Sequence, residues 1–177
     1  MQTHPPEIRI INIAEQLQEK MTGDLQEIRY GCDQDTPLDR NSNLKALLFA
    51  YVAAFVACGP SIRNHDQVLN SGFRLLVGYV ADNPPLYLDQ PMKLQEVASA
   101  CWPLFKTYLD GWDAACGCLS ASNPEGALDR VRWMLQHILS VSLPSNSNDP
   151  EIRFRNNVLT GTAARLLGGF GAMREAF

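Results

Sequence analysis

Thirteen consecutive apolar residues, Ala46 to Cys58, end at Gly59-Pro60. At 1.5 Å rise per residue such a run is about 20 Å long, short of the roughly 30 Å of bilayer hydrocarbon. A segment this apolar also has no wet face, so it reads as the core helix of a soluble fold rather than a membrane span. Asn41, Ser42 and Asn43 can each cap its first amides, and Gly59 with Pro60 supplies the stop, which places the helix over about 43–58. Leu44, Leu47, Leu48, Tyr51, Val52 and Phe55 fall on one side at helical spacing, and Ala46, Ala50, Ala53 and Ala57 on the other. The bulky side packs by interdigitation, whereas the alanine side lets a second backbone approach closely. Both predict neighbours all round. The expected fold is all-α, a compact bundle of five to seven helices in one domain over 1–177, packed around this helix.

The rest of the chain supplies helix starts. Pro6-Glu7 opens a segment with Ile10, Ile13, Leu17 and Met21 in phase, closing near Gly23. Residues 8–13 are β-branched enough to form a strand, and 25–31 are open to either structure. Ser61 is placed to cap a segment that must stop at Asn83-Pro84-Pro85. Asp89 with Pro91 opens a long stripe through Leu119, and Pro103 lies inside it without breaking the phase, as in one kinked helix. Ser122-Asn123-Pro124-Glu125 and Asn148-Asp149-Pro150-Glu151 repeat one start device, opening helices to about Leu143 and Leu167. The tail Gly168-Gly169-Phe170-Gly171 reads as a frayed helix end, since it follows a helix and lacks a Gly-Lys-Ser/Thr pattern.

A net charge of −4 argues against a surface devoted to nucleic acid, but the charge is uneven. Residues 129–177 hold six bases against four acids, all six arginine: Arg130, Arg132, Arg153, Arg155, Arg165 and Arg174. They either pair with carboxylates of neighbouring helices or form a face for phosphates or an acidic partner. Five cysteines, one inside the apolar run, and an N-terminus without signal-peptide character suit reduced thiols in the cytoplasm.

Chemical motifs are sparse. Cys116 and Cys118, with Cys101 and His137, are the one cluster that could hold zinc, but cysteines two apart diverge on a helix, so no metal or cofactor is expected. Asp110 and Asp113 share a face, yet no Glu-x-x-His pair accompanies them, so they read as a solvated acidic face.

Arg132 and His137, an arginine followed five residues on by a histidine in a small all-α chain, resemble the signature of the HEPN ribonucleases. The resemblance spans six residues and departs at Trp133, where that family usually carries a polar residue. It implies a phosphate-binding cation and a proton-transfer imidazole completed by a second copy. On an ideal helix the two side chains lie about 140° apart.

Pro84-Pro85-Leu86-Tyr87-Leu88 forms an apolar loop that either folds back on the core or faces a partner. The reading that unites these features is a non-catalytic interaction or assembly protein, binding another protein or a second copy. Its contact residues are expected at Pro85, Leu86 and Tyr87 and at Arg153, Arg155 and Arg165. The alternatives are a nucleic-acid-associated or coat-type subunit using the arginine-bearing C-terminal third, and a HEPN-like ribonuclease.

Overall fold

The computed structural model describes residues 4–31 and 35–177. The first helix, α1 (Pro6–Tyr30), is continuous; it neither forms a strand at 8–13 nor closes at Gly23. An interior glycine costs about 1 kcal/mol, whereas each large apolar side chain buried beyond it contributes roughly 1.5–3 kcal/mol. Met21, Leu25 and Ile28 continue the phase of Ile10, Ile13 and Ala14, so burial carries the helix through the exposed Gly23. It stops at Gly31, whose φ of 68° is the left-handed region that glycine tolerates.

The apolar run lies in α2 (Arg40–Cys58), which starts earlier than expected. Asp39 is the cap, its carboxylate accepting the Ser42 amide at 3.0 Å, so Asn41, Ser42 and Asn43 lie within the helix. Burial opposes the Asp39 charge, but the Ser42 hydrogen bonds and the charges of Arg29 and Lys45 outweigh it and hold the carboxyl below 3.8. By length and composition the stretch Arg40–Ser61 could cross a membrane, yet 78% of its 18-residue apolar window is buried inside the fold, the mark of a core helix.

A 3-10 turn (Gly59–Ser61) follows, and α3 (His65–Asp82) begins after Asn64. Ser61 is not the cap: Pro60 draws it into the turn and Ile62 is extended. A short α4 (Pro84–Tyr87) replaces the expected loop, and α5 (Leu94–Ser120) starts beyond Asp89 and Pro91. Pro103 stays inside α5, as its phase implied; Pro103 and Ser99 are both exposed, so the carbonyl that loses its partner faces water. In α6 (Pro124–Leu139) the cap is Asn123, which accepts from the Gly126 amide at 3.0 Å, because Ser122 is left-handed at φ 58°. That helix ends before Leu143: Ser140 turns left-handed and the Val141 amide returns to the Gln136 carbonyl at 3.1 Å, a Schellman stop. Asp149 caps α7 (Pro150–Gly168), and the tail expected to fray forms α8 (Phe170–Ala176), anchored by buried Met173. Among the described residues there is no strand, and six long helices with two short ones make up the bundle.

The core sits around α2, which packs mainly on α1 and α5 and also meets α3, α4, α6 and α8. Phe49 meets Tyr108 edge-on at 5.7 Å and Trp112 at 5.3 Å; Tyr51 lies 6.0 Å from Phe105. Gly72 of α3 is required for close approach, since a methyl there would overlap the buried Tyr51 hydroxyl.

Cations fasten the helix ends. Arg155 of α7 donates to the Ile28 and Arg29 carbonyls at 2.6 and 3.1 Å, covering the end of α1. Arg29 in turn reaches the Leu139 carbonyl at 2.6 Å, and Lys45 reaches that of His137 at 3.1 Å, both at the end of α6. Arg174 of α8 holds Ala57 of α2 at 3.0 Å. Each cation meets carbonyls left without an intrahelical partner at the negative end of a helix dipole.

Candidate functional site

The Pro84–Leu88 segment both folds back and faces outward. Tyr87 and Leu88 are buried, while Pro85 and Leu86 are exposed, Leu86 at 50%. Burial, and the nearby Tyr79, push the Tyr87 phenol well above its ordinary range. Its ring centroid lies 5.8 Å from that of Tyr79, and the Asn83 side chain bonds the Tyr79 carbonyl at 2.8 Å. Leu75 stands one turn earlier on the same face of α3, and Tyr79 meets α4 through the Tyr87 ring. The corner between α3 and α4 therefore carries an apolar ridge of exposed side chains, Leu75 (44% exposed) and Tyr79 (40%) on α3 and Leu86 on α4, with Pro85 next to Leu86. Arg40 and Asp89 flank the ridge 3.8 Å apart, and Arg40 also bonds the Pro85 carbonyl. Leu75 lies outside the apolar positions in phase along this segment (Ile62, Val68, Leu69, Phe73, Leu76, Tyr79 and Val80), as its exposure requires. Tyr79 lies among them, so hydrophobic pattern gave no sign that Tyr79 faces outward.

The arginines of the last third do not gather on one face. Arg155 and Arg174 cover helix ends, and Arg165 pairs with Asp24 of α1 at 2.7 Å. Arg132 lies 3.7 Å from Asp129, its own neighbour on α6. Arg130 and Arg153 are exposed and form no ion pair among the described residues.

His137 is held by its surroundings. Its Nδ1 is 3.0 Å from the Tyr108 hydroxyl and its ring stacks on Trp133 at 5.3 Å. Burial first, and the Lys45 charge second, lower its pKa below 6.5 and keep it neutral. The implied ribonuclease pair therefore has an arginine tied to Asp129 and an imidazole tied to Tyr108.

Comparison with known protein families, curated proteins and solved structures finds no match for this chain.

Among the described residues no group of three or more His, Cys, Asp or Glu could hold a metal. Cys58 and Cys101 are buried, which pushes each thiol up to about 11 and keeps it protonated at neutral pH. Asp110 and Asp113 are exposed as expected, with burial and then Asp110 raising the Asp113 carboxyl.

Several grooves cut the surface among the described residues, three of them between helices. One of about 310 Å3 between α1, α7 and α8 is mostly apolar, with Ile13, Leu17, Met21 and Leu166 in its walls. A second of about 720 Å3 runs between α5 and α6, over Gly111 and Ala114 and past exposed Trp133. Another, about 590 Å3, has polar and apolar surface in near-equal parts and gathers Arg9, Arg63 and Arg174 from three distant parts of the chain. No sequence signal links those three positions.

Proposed function

We propose that this protein is a non-catalytic assembly subunit of the cytoplasm that associates through the Leu75–Tyr79–Leu86 ridge with a second copy of itself. The ridge is the observation that carries the reading: three large apolar side chains, each two-fifths or more exposed, stand on a base anchored by buried Tyr87 and Leu88. Anchoring matters because a side chain held in place loses little conformational entropy when it meets a partner. Its rim carries both signs, Arg40 and Asp89. In a two-fold pairing a patch with both signs offers each charge to its opposite, which favours a second copy over an unrelated surface. Buried, protonated thiols at Cys58 and Cys101 accord with a reducing compartment.

Sedimentation equilibrium of the wild type and of Leu86→Lys, Tyr79→Lys and the double variant tests the proposal. A concentration-dependent dimer is expected for the wild type, weakened at least tenfold by either change and lost in the double variant. A wild type that stays monomeric at high concentration, or dimers indifferent to both substitutions, overturns it.

A further inference from the structure

We propose that the groove between the starts of α1 and α3 and the end of α8 binds a small, soluble phosphate-bearing anion. Arg9, Arg63 and Arg174 all line it, against the Glu7 side chain and the carboxylate of the terminal residue Phe177, which leaves a local excess of one positive charge in a chain of net −4. That positive excess favours an anion over a neutral ligand. Guanidinium forks match the paired oxygens of a phosphate better than they match a halide.

The donors are available. Arg63 is exposed, with no ion pair or hydrogen-bonding partner among the described residues. Arg174 gives its Nε to the Ala57 carbonyl, which leaves its two terminal nitrogens. Arg9 gives one nitrogen to the Phe177 main-chain oxygen and lies 3.8 Å over the Phe177 ring, which fixes the guanidinium in the wall. The groove is also where α3 begins. Asn64 is left-handed at φ 54° and makes no side-chain cap, and the first helical amide bonded to a carbonyl is Val68. The amides of the turn before it therefore add donors at the positive end of the helix dipole, beside arginines already turned to the same space. Asp66, in that turn, points its charge to His65 at 3.6 Å and does not line the groove.

Pyrophosphate and inorganic phosphate, titrated calorimetrically into the full chain at constant ionic strength, test this, with sodium chloride as the control. Backbone amide shifts followed by NMR locate the response. Pyrophosphate is expected to bind more tightly than phosphate, chloride not at all, and the amide shifts to cluster at 64–68. Arg63→Gln, which removes no intramolecular bond, is expected to melt like the wild type and to bind pyrophosphate roughly tenfold or more weakly. Arg63→Lys recovers part of that loss. Absence of binding at millimolar pyrophosphate, equal affinity in Arg63→Gln, or shifts centred elsewhere overturns the assignment. The dimer measurement above is independent of this result, since none of the ridge residues lines the groove.

Discussion

Helices α2 and α7 are both nineteen residues long and are held in the bundle by opposite means. Fifteen residues of α2 are buried against four of α7, Leu159, Thr162, Ala163 and Leu166. What secures α7 is its polar side: Asp149 caps its start, Arg155 grips the end of α1, and Arg165 pairs with Asp24. Area removed from water is cooperative and indifferent to position along the helix, while a cation on an open carbonyl works at one helix end only. An apolar hub thus fixes which helices come together, and the arginine contacts cover the ends at which they stop.

The sharpest way to break this contrast is Phe55→Ala. Its ring is fully buried, 6.4 Å from that of Tyr51 and 4.5 Å from that of His65. Truncation leaves a cavity and is expected to cost about 3–5 kcal/mol in chemical denaturation. A cost below about 1 kcal/mol would mean the hub repacks freely.

Arg155→Ala probes the other mechanism. It removes two charge-assisted bonds to the Ile28 and Arg29 carbonyls, at an expected cost of about 1–3 kcal/mol. Arg155→Lys should recover less than half of this, because one ammonium cannot span both oxygens in the guanidinium's planar fork. Equal stability of wild type and Arg155→Ala by urea midpoint would reduce the arginine contacts to ornament on an apolar bundle.

The smallest effect lies where the two mechanisms meet. Lys45 is the cation of the α2 wall, and it bonds the His137 carbonyl and the Ser140 hydroxyl, both at 3.1 Å. Burial and the Lys45 charge lower the His137 pKa in the folded state. The unfolded chain consequently takes up the proton first as pH falls, and stability declines from about pH 6.5 toward the folded value and is level above it. His137→Gln should remove that share of the acid-side decline, read as the difference between urea midpoints at pH 7.5 and 5.5. Identical declines in the two proteins would show that the imidazole feels neither burial nor Lys45.

The hub was legible because its signal is local: thirteen apolar residues in a row admit one environment, and its stop at Gly59-Pro60 falls where the residues say. Pro103 was legible for the same reason, as the stripe from Val97 to Trp112 holds its phase across it. Gly23 and the glycine-rich tail misled for a reason equally physical. Local propensity marks them as breaks, and burial of Met21 and Leu25 on one side and Met173 on the other outweighs it. Capping residues were placed to within a few positions, since several neighbours can cap and the backbone angle chooses: Ser122 at φ 58° yields to Asn123.

The candidate contact residues show the same division. That Pro84–Leu88 holds apolar side chains is written in the chain, but that Tyr87 turns in and Leu86 turns out depends on where Tyr79 stands. The count of arginines in the last third is equally plain, while their dispersal to the ends of α1 and α2 depends on which helix ends they meet. By itself, then, the sequence determined the helical class, the buried hub and most helix positions, because hydrophobic period and start signals act over a few residues. Only the tertiary structure decided which polar and apolar side chains remained free on the surface, and that it brings Arg9, Arg63 and Arg174 to one groove. Such convergence joins residues more than a hundred positions apart, and no local interaction carries that information.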